Sequence, residues 1–267
     1  MAFPLAQVVF VALTLLAWSA PARAQTSAPP GSRSPSATEG GDANASSECR
    51  APSSVIFTGG ALPNVDSALR EGRPIRVLAL GPFPPESFGS GPGSTKHTAK
   101  LKRALQGVLA GVPVVVEGRR LSGEITTGAP EYVTNTVMDV RPNLVVWSAG
   151  THEALARAEI DPFVSAVGEI LDWLRSHDID VILVEPPYAA AVADDEHYSA
   201  LVKSLRAAAQ QHQVPIVMRY EAMRYLAGQT TDAPEQHFHL HDLSRRCAPE
   251  YVAKAVAGSL ASPSAGR

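Results

Sequence analysis

Histidine recurs at every second position through His237, His239 and His241, and in an extended segment that alternation would place three imidazoles on one face. Imidazoles so placed suit zinc or another transition metal, with His152 as a candidate further ligand. The opposing reading makes them solvated loop positions, and because no carboxylate spacing completes a ligand set, no metal and no cofactor is assigned. The only two cysteines, Cys49 and Cys247, are too few for a thiolate metal site. An oxidising compartment would let them pair. Ser87 and Ser90 stand in a Pro/Gly/Ser segment from Gly81 to Thr95, where a hydroxyl commonly does no more than satisfy a backbone turn. His177 and His212 fall near the ends of helical patterns, where partial positive charge is favourable, and take no role.

The elements that must position these residues are bounded by composition. A chain of 267 residues, 45% hydrophobic and 18% charged, suffices for one well-cored domain. With 23 Lys and Arg against 26 Asp and Glu, the net charge of -3 offers no field that would collect nucleic acid or an anionic membrane surface. The apolar run from Val8 to Trp18, followed by Ala22-Arg23-Ala24, reads as a signal peptide over residues 1–24 with cleavage before Gln25. No Lys or Arg precedes the run, so an uncleaved anchor is the alternative. No other segment approaches the ~20 apolar residues of a membrane span, so none is expected after cleavage. Residues 25–48 are Ser, Pro, Gly and Ala with little to bury, which predicts a disordered tether. A folded domain is expected over 49–262 and a short tail over 263–267. The location implied is periplasmic or secreted.

Within that domain, short β-branched or apolar runs at Ile75–Leu80, Val112–Val116, Leu144–Trp147, Val181–Val184 and Val214–Met218 predict five buried strands. Helical spacing separates them. The clearest stripe is Phe163, Val167, Ile170, Leu171 and Leu174 behind Asp161-Pro162, with others from Asp195, over Thr98 to Leu109, over Glu131 to Val140, and through Val252, Ala255, Val256 and Leu260. Regular βαβ alternation requires long right-handed crossovers, hence a flavodoxin-like three-layer α/β/α sandwich around a five-stranded parallel sheet. Function is then expected at the carboxyl ends of the strands. The polar loops there are Gly81 to Thr95, Gly118 to Gly128 and Gly150 to Glu153, with Gln236 to Asp242 as a fourth before the last helix.

The order of these landmarks resembles the SGNH/GDSL hydrolases, over about Cys49 to Leu260. Val77-Leu78-Ala79-Leu80-Gly81 resembles the strand that delivers the family's nucleophilic serine, and Leu121-Ser122-Gly123-Glu124 the block whose glycine N–H joins the oxyanion hole. Pro142 to His152 is similar to the third block, with His152 where the family has asparagine. Glu185-Pro186-Pro187-Tyr188-Ala189 resembles a strand-end segment, and Phe238 to Ser244 the fifth block, with His239 on the histidine and Gln236 where the aspartate stands. The resemblance implies ester hydrolysis on a small molecule or glycan: a serine attacks the ester carbonyl, histidine takes its proton, and N–H donors hold the oxyanion.

Three of those places are changed. Without a gap the nucleophile position falls on Phe83, which has no oxygen; with a longer loop, Pro85-Glu86-Ser87-Phe88-Gly89-Ser90-Gly91 matches the family pattern and Ser87 is the candidate nucleophile. Gln236 lacks the aspartate's charge but can still accept a hydrogen bond from the histidine ring, and His152 can donate to an oxyanion alongside Gly123. Two readings stay open: an ester hydrolase, impaired or not, and a non-catalytic envelope binding protein on the same fold.

Overall fold

The computed structural model describes residues 46–82, 96–121, 129–229 and 236–261. In chain order a 3-10 turn, Ser47–Cys49, leads to α1 (Ser53–Ile56), β1 (Phe57–Thr58), α2 (Pro63–Arg70), β2 (Ile75–Gly81), α3 (Lys96–Val108), β3 (Val114–Arg120) and α4 (Ala129–Val140). Then come β4 (Leu144–Ser148), α5 (Thr151–Ala156), α6 (Ile160–Ser176), β5 (Asp180–Val184), α7 (Glu196–Gln211), β6 (Ile216–Val217), α8 (Arg219–Gln229) and α9 (Gln236–Ala261).

These strands form a six-stranded sheet in the order β1-β6-β5-β4-β2-β3. Strands β2 to β6 are parallel, and they are the strands the apolar runs predict. The addition is β1, a two-residue antiparallel edge pairing Phe57 with Val217, too short to show any periodicity.

Side chains alternate across the strands and so build two cores. Val77, Ala79, Leu144, Val146, Ile182 and Val184 face one layer, packed with Leu101 and Leu105 of α3 and Val252 and Val256 of α9. Leu78, Leu80, Val145, Trp147, Val181 and Leu183 face the other, covered by α4, by Phe163, Val167, Ile170 and Leu174 of α6, and by Leu201 and Leu205 of α7. Each valine, leucine, isoleucine or phenylalanine among them contributes about 1.5–3 kcal/mol on leaving water. The three-layer sandwich follows directly from the two faces.

Local chemistry sets the helix ends. Asp195 caps α7, its Oδ1 accepting from Tyr198 N at 3.0 Å. Helix α6 begins at Ile160 with Glu159 as N-cap, so Asp161 and Pro162 lie in its first turn rather than at its boundary. Helix α2 carries Pro63 in its first turn and is capped from a distance: Asp180, at the start of β5, accepts from Val65 N at 2.8 Å and Asn64 Nδ2 at 2.9 Å. His177 and His212 are the C-caps of α6 and α7.

Cys49 and Cys247 are joined by a disulfide with their Cα atoms 5.4 Å apart, fastening the amino end of the domain to α9. Beside it Arg246 donates to Glu48 through Nε and Nη2, both at 3.0 Å, and Ser46 Oγ donates to Glu250 Oε1 at 3.0 Å. Ser46 and Glu48, expected to belong to the tether, are therefore bonded to the last helix.

The expectation for the histidine-rich segment is overturned. Gln236 to Asp242 opens α9 instead of forming a loop before it. A helix turns about 100° per residue, so positions two apart do not share a face as they do in an extended strand. The extended backbone that the metal reading presumed is replaced by helix.

Candidate functional site

The strand order reverses at β2: the chain leaves it on one side to make β3 and returns on the other to make β4. At such a switch point the loops diverge and leave a crevice at the carboxyl ends. The strand ends at this point are Gly81 of β2, Arg120 of β3, which pairs with Gly81, and Ser148 of β4. The loops leaving the first two strands contain Phe83, Ser87 and Gly123, which lie outside the described residues.

Beyond β4 the turn is tightly specified. Ala149 N donates to Val184 O at 3.2 Å, and Gly150 follows with φ of +84°, opening α5. A Cβ on Gly150 would lie 2.9 Å from Leu201 Cδ2 and 3.2 Å from Phe163 Cζ, so both dihedral and packing demand glycine. The turn delivers His152 to the surface, exposed and with no hydrogen bond to any described residue, so its ring N–H is available to a ligand. Gln236 and His239 lie three residues apart along the backbone of the first turn of α9. The structure fixes their backbone register.

The strand-end segment after β5 is buried and braced. Glu185 is fully buried; its Oε1 accepts from Arg206 Nε at 2.8 Å and Nη2 at 2.7 Å. Burial pushes its carboxyl up to about 7, although the Arg206 guanidinium pulls the other way. Tyr198 donates from its hydroxyl to Pro187 O at 2.7 Å, and Tyr220 meets Tyr188 edge-on at 5.3 Å between ring centroids. Glu185 therefore reads as a structural anchor for the Pro186-Pro187-Tyr188 wall rather than as an acid open to a substrate.

Two groups escape the sequence reading. Arg219, immediately past the β6 run, donates from Nε to the fully buried Ser244 Oγ of α9 at 2.7 Å. His97, in the first turn of α3, is held down to about 4 by burial and by the charges of Arg219, Arg245 and Lys100. A histidine so depressed is neutral at pH 7 and too weak a base to serve well in proton abstraction. The available signal was position: a cation directly after a buried strand, and a histidine directly after the serine-bearing loop.

The comparisons with known proteins agree with this architecture. A family model described as the non-GDSL lipase-like family matches residues 48–262. Among solved structures, a lipase/acylhydrolase from Enterococcus faecalis superposes with a TM-score of 0.54 at 19% identity, covering 69% of this chain and 96% of that one. An acetyl xylan esterase gives 0.53 at 15% identity, covering 68% and 100%. A catalytic mutant of an acetylxylan esterase from Geobacillus stearothermophilus gives 0.54 at 15% identity, covering 70% and 94%. At these identities the likeness is one of fold. No curated protein matches the chain in sequence. A match spanning nearly all of the described domain, on an SGNH-type sandwich, establishes that this chain belongs to the non-GDSL lipase-like family.

Proposed function

We propose that the protein is an exported SGNH-type hydrolase that cleaves esters of small molecules or glycans in the crevice above β2 and β4. The observation that carries this reading is the switch point: the loops bearing Ser87, Gly123 and His152 leave from the carboxyl ends of β2, β3 and β4. In the proposed reaction Ser87 Oγ attacks the ester carbonyl as His239 accepts its proton, and His239 then protonates the departing alkoxide. Water, deprotonated by the same histidine, releases the acid and regenerates the serine. Gln236 would orient His239, and Gly123 N–H with His152 would hold the oxyanion. The esterases of similar fold named for acetyl xylan support a short acyl group on a glycan as the substrate class.

Export is supported by the signal-peptide pattern over 1–24 and by the disulfide, which persists in oxidising compartments. Among the described residues no helix is long and apolar enough to cross a membrane. The domain limits proposed are 25–48 for the tether, the end of which is held to α9 through Ser46 and Glu48, 49–262 for the domain and 263–267 for the tail.

A second reading, a non-catalytic envelope binding protein, is favoured by Phe83 at the ungapped nucleophile position and by Gln236 in place of a charged partner. One experiment separates the two: turnover of aryl acetate and butyrate esters by the protein beginning at Gln25, with Ser87→Ala and His239→Ala in parallel and a chelator in one arm. The hydrolase reading expects both substitutions to lower turnover at least 1000-fold, on the order of a lost triad member, with no response to chelator. Wild-type-like turnover in either variant removes that residue from the mechanism. No turnover by the wild type on a broad ester panel transfers the conclusion to the binding protein.

A further inference from the structure

We propose that Arg219 is a specificity-determining residue that recognises a carboxylate on the substrate, so that the preferred esters are monoanions. The inference rests on the ester-hydrolase reading for where the substrate lies, and it names the chemical class that site would take.

Arg219 is prepared in a way the other arginines are not. Arg119 and Arg206, the other described arginines withdrawn from bulk solvent, are paired with Glu117 and Asp139 and with Glu185 respectively. Among the described residues no carboxylate pairs with Arg219. Its side-chain bond among the described residues is from Nε to Ser244 Oγ at 2.7 Å, on a serine that is itself fully buried. Fixing Nε holds the guanidinium plane while leaving the Nη donors for a partner, and that planar fork matches the two oxygens of a carboxylate.

The surroundings reinforce the charge. Arg245 and Lys100 add positive potential in the same region, and His97 is kept neutral there first by burial and then by the charges of Arg219, Arg245 and Lys100. Burial lowers the stability of Arg219's own charge, so an entering anion restores what desolvation costs. The position is right for a ligand reaching from the crevice. Arg219 follows β6 at the carboxyl end of the sheet, and Ser244 and His97 lie on the two helices, α9 and α3, whose first turns carry or follow the proposed catalytic loops. Strands spaced about 4.8 Å apart place β6 roughly 14 Å from β2. An extended arginine side chain covers part of that gap, so the anion sits several bonds from the ester carbonyl.

The test measures binding and turnover separately, on the protein from Gln25 onward. Calorimetric titration with monomethyl adipate, neutral dimethyl adipate and inorganic phosphate is run on wild type, Arg219→Gln, Arg219→Lys and Ser244→Ala, each checked for an unchanged thermal transition. The expected result is at least tenfold weaker binding of monomethyl adipate by Arg219→Gln, a smaller loss for Ser244→Ala, and weak binding of dimethyl adipate throughout. Should Arg219→Gln fail to fold, Arg219→Lys carries the test, since it keeps the charge and loses the fork. In parallel, the turnover ratio of 4-nitrophenyl adipate monoester to 4-nitrophenyl hexanoate should fall at least tenfold in Arg219→Gln.

Equal binding of monomethyl adipate by wild type and a folded Arg219→Gln overturns the proposal, as does no binding by the wild type. Tighter binding of phosphate than of monomethyl adipate overturns the carboxylate assignment. Charge-dependent binding without turnover of either aryl ester upholds Arg219 and removes the hydrolase reading. Turnover without charge preference removes Arg219 alone.

Discussion

At Gly150 a single missing side chain lets β4 turn into the site. Its φ of +84° and the 2.9 Å approach of Leu201 Cδ2 to a hypothetical Cβ act together. Gly150→Ala is expected to destabilise the fold by about 2–3 kcal/mol through left-handed strain and overpacking, read as a lower urea midpoint at unchanged slope. Glu185 carries the pH dependence. Its carboxyl is raised to about 7 in the fold from an ordinary 4.5, and Asp180, raised by burial to about 6 from 3.8, acts in the same direction. As pH rises through this window the unfolded chain gives up its protons first, so stability present at low pH is lost between about pH 4 and pH 7. Glu185→Gln should flatten the upper part of that decline, by about 2 kcal/mol, in denaturant titrations across pH. The same residue scale shows where sequence reading failed. His237, His239 and His241 look alike in a list of letters, and only the helical backbone separates them. Arg219 and Ser244 are far apart in sequence, and nothing in either segment announces their bond.

Elements were legible where periodicity runs long enough to exceed chance. The stripe of Phe163, Val167, Ile170, Leu171 and Leu174 marks α6, and all five are buried. Phe163→Ala should therefore cost about 3–5 kcal/mol, a fall of roughly 10 °C in thermal midpoint, because its ring also packs against the Gly150 turn. Lower stability with unchanged affinity for ligand would be consistent with this packing role. Short elements gave no such signal. Strand β1 is two residues long and α5 six, and both exist because neighbouring elements complete them. Helix α2 takes its cap from Asp180, so its beginning is set by a residue of β5. The amino end of α9 resembles loop in sequence because glutamine, histidine and phenylalanine carry no strong helical pattern there; its register comes from continuity with the buried Cys247 to Val256 segment.

At the scale of the whole molecule, the disulfide closes a loop spanning 198 positions of sequence and holds the last helix against the start of the domain. Reduction is expected to destabilise the protein by about 2–5 kcal/mol, chiefly by freeing the unfolded chain, and to lower the thermal midpoint by roughly 10 °C. Cys49→Ser should lose that sensitivity to reductant, and intact mass of the oxidised wild type should show no free thiol. The sequence by itself determined the parallel sheet, its main crossover helices and the family resemblance, because burial imposes local periodicities of 2 and 3.6 that survive in one dimension. It also showed that cysteine pairing was available. Only the tertiary structure decided that the histidine segment is helical, that β1 closes one edge of the sheet, that Asp180 caps α2, and that Arg219 is fixed by Ser244. Those features depend on contacts between distant segments, and their energies are set by burial and geometry that no local window contains.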